Sequence, residues 1–156
     1  MLFRSRCHET GVALAHCPTS NLFLGSGLFP LHRAKDPRRP VRVGLGTDIG
    51  AGTSFSLLKT LDEAGKVAQL LGAPLDAVRA LYLATRGGAE ALGLQDRIGS
   101  LAPGHEADVV ALDPAATPLL AFRSARARSL EELLAVLMTL GDDRSVAATW
   151  VGGTKA

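Results

Sequence analysis

Apolar and polar positions follow two different grammars along this chain. A short apolar run at residues 12–15 predicts a strand that ends in the polar segment His16 to Asn21. A second run at 41–45, broken only by Arg42, predicts another strand, and glycines follow it at once. Between them "PLHRAKDPRRP", residues 30–40, reads as an exposed connection after a short helix from Leu28. The spacing then turns helical. Leu57, Leu58, Leu61, Ala64, Val67, Ala68 and Leu71 share one face, with Ser54 as a predicted N-cap and Gly72 and Pro74 as the stop. A second helix is expected over 75–85 with Val78, Leu81 and Tyr82 inward, and "RGGAEALGL" suggests a break and a short third helix.

From Ile98 the pattern shortens. "IGSLAPGHEADVVALDP" reads as a strand at 98–101, a Pro-Gly turn, and a strand at 108–112. Ser129 and Glu132 form a capping-box pattern ahead of a helix whose stripe is Leu130, Leu133, Leu134, Leu137 and Leu140, and Gly141 ends it. "VAATWVGG" is a last strand. The expected class is α/β. Residues 1–97 resemble part of an α/β layer, and residues 98–156 a smaller β-rich segment with one helix.

Composition narrows the function. With 156 residues and 47% apolar content, the chain can bury a core. The formal charge is only +2, so the arginines at 33–42 and 123–128 are read as solvated loop charge. Aromatic content of 4% leaves little for base stacking, so no nucleic-acid partner is expected. No apolar run approaches the roughly 18 residues of a membrane span, and "MLFRSRCHETG" lacks the apolar centre of a signal peptide. The expectation is a cytoplasmic protein with no membrane partner. Two cysteines, Cys7 and Cys17, exclude a disulfide framework, and Cys17 is expected to pack as a small buried hydrophobe.

The candidate chemistry sits in "GLGTDIGAG", residues 44–52. A dinucleotide loop fits poorly, because Gly44, Gly46 and Gly50 are spaced one residue too far and no helix opens at the right place. Asp48 as a turn aspartate bonding nearby amides is a simple structural reading. The catalytic reading places Asp48 at the carboxyl end of a barrel strand, where it holds a metal and takes a proton from water. His16, Thr19, Ser20 and Asn21 follow the other apolar strand, and two consecutive strands ending in polar clusters suggest one shared pocket.

"AHCPTSNLFLGSGLFP" followed by "VGLGTDIGAGTSFSLLKTLDEAGKVAQLLG" resembles the C-terminal part of the guanine deaminase family, within the amidohydrolase superfamily. "LATRGGAEALGLQDRIGSLAPGHEADVVALDP" is similar to the superfamily's passage from its barrel back into a small β domain, and "LMTLGDDRSVAATWVGGTKA" is similar to the guanine deaminase ending. The resemblance implies the last two strand units of a metal-dependent (β/α)8 hydrolase plus part of its small β-rich domain. It implies hydrolytic deamination of guanine to xanthine and ammonia, with zinc as cofactor. It assigns Asp48 as metal ligand and proton carrier, and puts His16, Ser20 and Asn21 in the wall of the substrate pocket.

One departure changes the expectation. The family's metal also uses an H-x-H pair and two further histidines, whereas His8, His16, His32 and His105 form no such set. The strands that would carry those ligands are not in this sequence, and "MLFRSRCHETG" resembles the helix before the seventh strand. The chain alone is therefore expected not to deaminate guanine. Two neighbouring barrel strands leave unpaired edges, so a poorly stable, self-associating chain is expected unless the missing N-terminal half is supplied. The alternative is a non-catalytic remnant acting as a binding or subunit-interaction module.

Overall fold

Two strands of three residues, β1 (Leu14–His16) and β2 (Val43–Leu45), lie parallel, with Leu14 opposite Val43 and His16 opposite Leu45. Parallel neighbours need a crossover connection, and residues 17–42 supply it. The computed structural model describes residues 2–156, of which Leu2 is described by its backbone alone. A helix α1 (Leu2–Thr10) precedes β1. The crossover holds α2 (Pro18–Phe23) and α3 (Leu31–Ala34). The segment after β1 was expected to be a polar loop. It is instead a short helix that begins at Pro18, where proline's fixed φ suits the first turn and its missing N–H costs nothing.

Three helices follow β2: α4 (Leu57–Leu70), α5 (Ala77–Ala84) and α6 (Arg86–Leu92). The cap of α4 lies two residues beyond the expected Ser54. Ser56 is the N-cap, and the Ser54 hydroxyl accepts from the Ser56 N–H at 3.0 Å. The inward face of α5 is also corrected. Ala80 and Leu83 are buried, while Val78 and Tyr82 are exposed. Ala80 packs in a cluster with Leu58, Leu61 and Met138, and Leu83 packs on the side of β2. A second cluster joins Leu31, Ala34, Val43 and Leu83, and so ties β2 to the crossover and to α5.

Helix α6 meets β2 backbone to backbone. A Cβ on Gly44 would lie 2.9 Å from the Gly88 Cα. Gly44→Ala is therefore expected to lower stability by about 2 kcal/mol, as overpacking of a rigid contact does. A urea melt superposable on that of the parent chain would show that this contact yields without cost.

Residues 98–101 form no strand. Gly99 takes φ +79°, which breaks an extended run, and its Cα seats against Ala89 and Arg86 of α6 where a side chain would not fit. The Glu106 N–H donates to the Arg97 carbonyl at 2.7 Å, closing the segment as a turn. The second sheet is antiparallel, in the order β3 (Val109–Leu112), β4 (Val146–Val151), β5 (Thr154–Lys155). Between β3 and β4 lie two helices rather than the expected one: α7 (Pro118–Ser124), capped by Thr117, and α8 (Leu130–Leu140). The Ser129 hydroxyl accepts from the Glu132 N–H at 3.2 Å, while the Glu132 carboxylate reaches the Arg128 N–H rather than that of Ser129. The whole is an α/β fold with two small sheets. Neither sheet closes into a barrel among the described residues.

Candidate functional site

The exits of β1 and β2 are joined by two hydrogen bonds. The Gly46 N–H donates to the His16 carbonyl at 3.1 Å. The buried Thr19 hydroxyl donates to the Thr47 carbonyl at 3.3 Å, which links α2 to the loop that follows β2. The parallel register thus brings together the two polar clusters, with Thr19 and Thr47 joined across 28 residues of sequence.

Asp48 sits in this loop at φ +49°, the one positive φ outside glycine among the described residues. Aspartate tolerates the left-handed region better than most residues, yet its use here marks a constrained position. Its backbone carbonyl accepts from the Ala51 and Gly52 N–H groups, so the chain folds tightly around it. The side chain is different. Asp48 is exposed, and its carboxylate has no hydrogen bond or ion pair among the described residues. The reading of Asp48 as a turn residue capping amides through its side chain therefore fails, and a free acid remains at a strand exit. Its charge reaches the residue that follows β1: burial first, and the Asp48 carboxylate second, push the Cys17 thiol above its usual pKa. Cys17 is half-buried rather than buried, whereas Cys7 is the cysteine in the core.

The tight loop depends on Gly52. A Cβ there would overlap the Thr47 carbonyl oxygen and lie 3.0 Å from that of Asp48. Gly52→Ala is expected to open residues 47–52, with amide exchange roughly tenfold or more faster across 48–52 and unchanged within α4. Unaltered exchange in the loop would show that Gly52 does not set the Asp48 geometry.

The remaining candidates are placed as follows. His16 is the last residue of β1 and is 1% exposed, with its ring against Phe29 at a centroid distance of 5.0 Å. Its Nδ1 is buried without a partner among the described residues, and burial lowers its pKa to about 4. Ser20 and Asn21 lie in α2; Ser20 is buried, and the Asn21 carbonyl accepts from the Ser26 N–H. The other histidines lie elsewhere: His8 meets the Pro40 carbonyl at 2.8 Å and His105 the Gln95 carbonyl at 3.1 Å. Phe29 and Gly52 are residues that sequence reasoning did not single out for this site, and the pairing of Thr19 with Thr47 was not foreseen. Only the short side chain beside the strand end marks Thr19 in the sequence, and nothing there pairs it with Thr47.

Among the described residues no group of three or more His, Cys, Asp or Glu is arranged to hold a metal ion. A catalytic zinc takes about three protein ligands. Asp48 fits one of them, with a free and accessible carboxylate, so this chain's residues do not by themselves form a zinc site.

The sequence pattern of the amidohydrolase family matches residues 2–156. The chain belongs to that family. It is thereby part of a hydrolase family. Among curated amidohydrolases it is 56% identical to guanine deaminase of Escherichia coli K12 over 148 residues, which is 95% of this chain and 33% of the relative. It is 49% identical to a probable guanine deaminase of Deinococcus radiodurans over 144 residues, or 90% of this chain and 32% of that one. The crystal structure of guanine deaminase from Bradyrhizobium japonicum superposes with a TM-score of 0.89 at 38% identity, covering 97% of this chain and 39% of that one. The amidohydrolase chain described here thus spans about a third of the length of the curated relatives it matches. No helix among its described residues is long and apolar enough to cross a membrane.

Proposed function

We propose that this chain is the C-terminal portion of a guanine-deaminase-like zinc amidohydrolase, and that it is inactive by itself. The reaction would be hydrolytic cleavage of the exocyclic C–N bond of guanine, giving xanthine and ammonia. In this reading residues 1–97 are the last two strand units of a (β/α)8 barrel and 98–156 belong to the small β-rich domain. The complete enzyme would work in the cytoplasm. Zinc would supply water activation in that enzyme. This chain would contribute Asp48, as one ligand and as the group that carries a proton from water toward the leaving amine. His16, Ser20 and Asn21 would shape the pocket wall. The observation that carries the reading is the free Asp48 carboxylate, held at φ +49° at the exit of a parallel strand, beside the exit of its neighbour.

The test is reconstitution. This chain is co-expressed with the part of the Escherichia coli relative that it does not match, and xanthine and bound zinc are measured. The pair is expected to hold zinc and form xanthine, and the chain alone to form none. Zinc-dependent xanthine from the purified chain alone would overturn its inactivity. A tight pair that holds zinc and leaves guanine untouched would overturn the substrate. A tight pair that holds no zinc would support the interaction-module reading instead.

A further inference from the structure

We propose that the cavity between α3, α4 and α5 binds a small organic anion with an apolar body of about one or two rings. The cavity is about 500 Å³, within the range of small-molecule sites. Its floor is apolar: Leu31, Leu71 and Leu83 line it, and Leu31 and Leu83 are buried in the cluster that holds β2. Its rim carries two cations, Lys35 and Arg79, and no carboxylate lines the space. None of the residues that line the cavity belongs to the candidate site around His16 and Asp48. The proposal does not rest on the deaminase reading.

Lys35 decides the chemistry. Its ammonium has no carboxylate partner among the described residues, and its one described contact is the Tyr82 ring, 5.7 Å from the centroid. Arg79 is already paired with Asp76 at 3.3 Å, which leaves Lys35 as the rim cation without a carboxylate partner among the described residues. A neutral aromatic ligand would use only the floor. A bare inorganic anion would use only the rim, where water competes well. A ligand with both parts gains burial and a partly desolvated charge contact together, and charge complementarity selects its sign.

The test uses this chain with three probes: 2-naphthoate, its neutral analogue 2-naphthamide, and inorganic phosphate. Ligand-observed saturation-transfer NMR reads the probe resonances and works equally for a monomer or a self-associated chain. Naphthoate is expected to bind about tenfold more tightly than naphthamide, and added salt should erode that preference. Lys35→Gln should abolish the preference, while Arg38→Gln, a nearby cation that does not line the cavity, should preserve it. Lys35 is exposed and holds no ion pair, so its loss leaves the core untouched. Equal affinity of the two naphthyl probes would overturn the proposal, as would a preference that survives Lys35→Gln. Phosphate binding as tightly as naphthoate would overturn the apolar part of it.

Discussion

Asp48→Asn is expected to reduce xanthine formation by the reconstituted pair by roughly two to four orders of magnitude. Asparagine is the informative replacement. It has nearly the same shape, and like aspartate it accepts the left-handed backbone that Asp48 adopts at φ +49°. The loop closed by the Asp48 carbonyl on Gly52 should therefore persist, and only the charge and the proton-accepting oxygen are removed. Bound zinc should fall in parallel. The isolated chain offers a second readout. The Asp48 charge is one cause that raises the Cys17 thiol pKa, so the variant should bring that thiol down toward its usual value. Alkylation of Cys17 followed against pH measures this. A pair with near-parental activity and zinc would remove Asp48 from the chemistry, whatever the thiol does.

The second large effect is loss of stability in acid. His16 is buried at the end of β1, its Nδ1 lacks a partner, and burial lowers its pKa to about 4. In the unfolded chain the ring titrates near the usual value of about 6.5. Above that pH both states are neutral at this site and no penalty exists. As the pH falls below it, the unfolded chain takes up a proton that the folded chain refuses. Folding then loses about 1.4 kcal/mol per pH unit until the buried ring also titrates. The cumulative cost is roughly 3 kcal/mol by pH 4, a large share of a typical domain's stability. Urea melts of the parent and of His16→Leu, compared from pH 7.5 to 4, isolate the term. The parent should lose more stability over that window than the variant, by about this amount. Parallel pH profiles would show that the ring finds a protonated partner in the folded state.

Much of the architecture was legible because the strongest sequence signals are local. The helical stripe of α4 and the stop at Gly72 and Pro74 reappear in the structure, as does the capping serine of α8. Both strand positions were found to within a few residues. What failed were segments whose state depends on a neighbour. The apolar pattern of 98–101 is compatible with a strand, yet Gly99 turns to pack on α6. On α5 the large residues Val78 and Tyr82 suggested the inner face, but Ala80 and Leu83 lie there, packed against the α4–α8 cluster and the β2 cluster. Helix α7 was missed, although Thr117 and Pro118 mark its start.

The sequence alone determined that two apolar runs end in polar clusters, that one carries an acid among glycines, and that the four histidines include no H-x-H pair. Each is a property of residue type and spacing, which no fold is needed to reveal. Only the tertiary structure decided that the two exits adjoin, that Asp48 is free while His16 is buried, and that α3 and α5 enclose a cavity with a cationic rim. Those outcomes depend on contacts between residues far apart in sequence, because burial and electrostatic environment belong to the packed arrangement and not to any one segment.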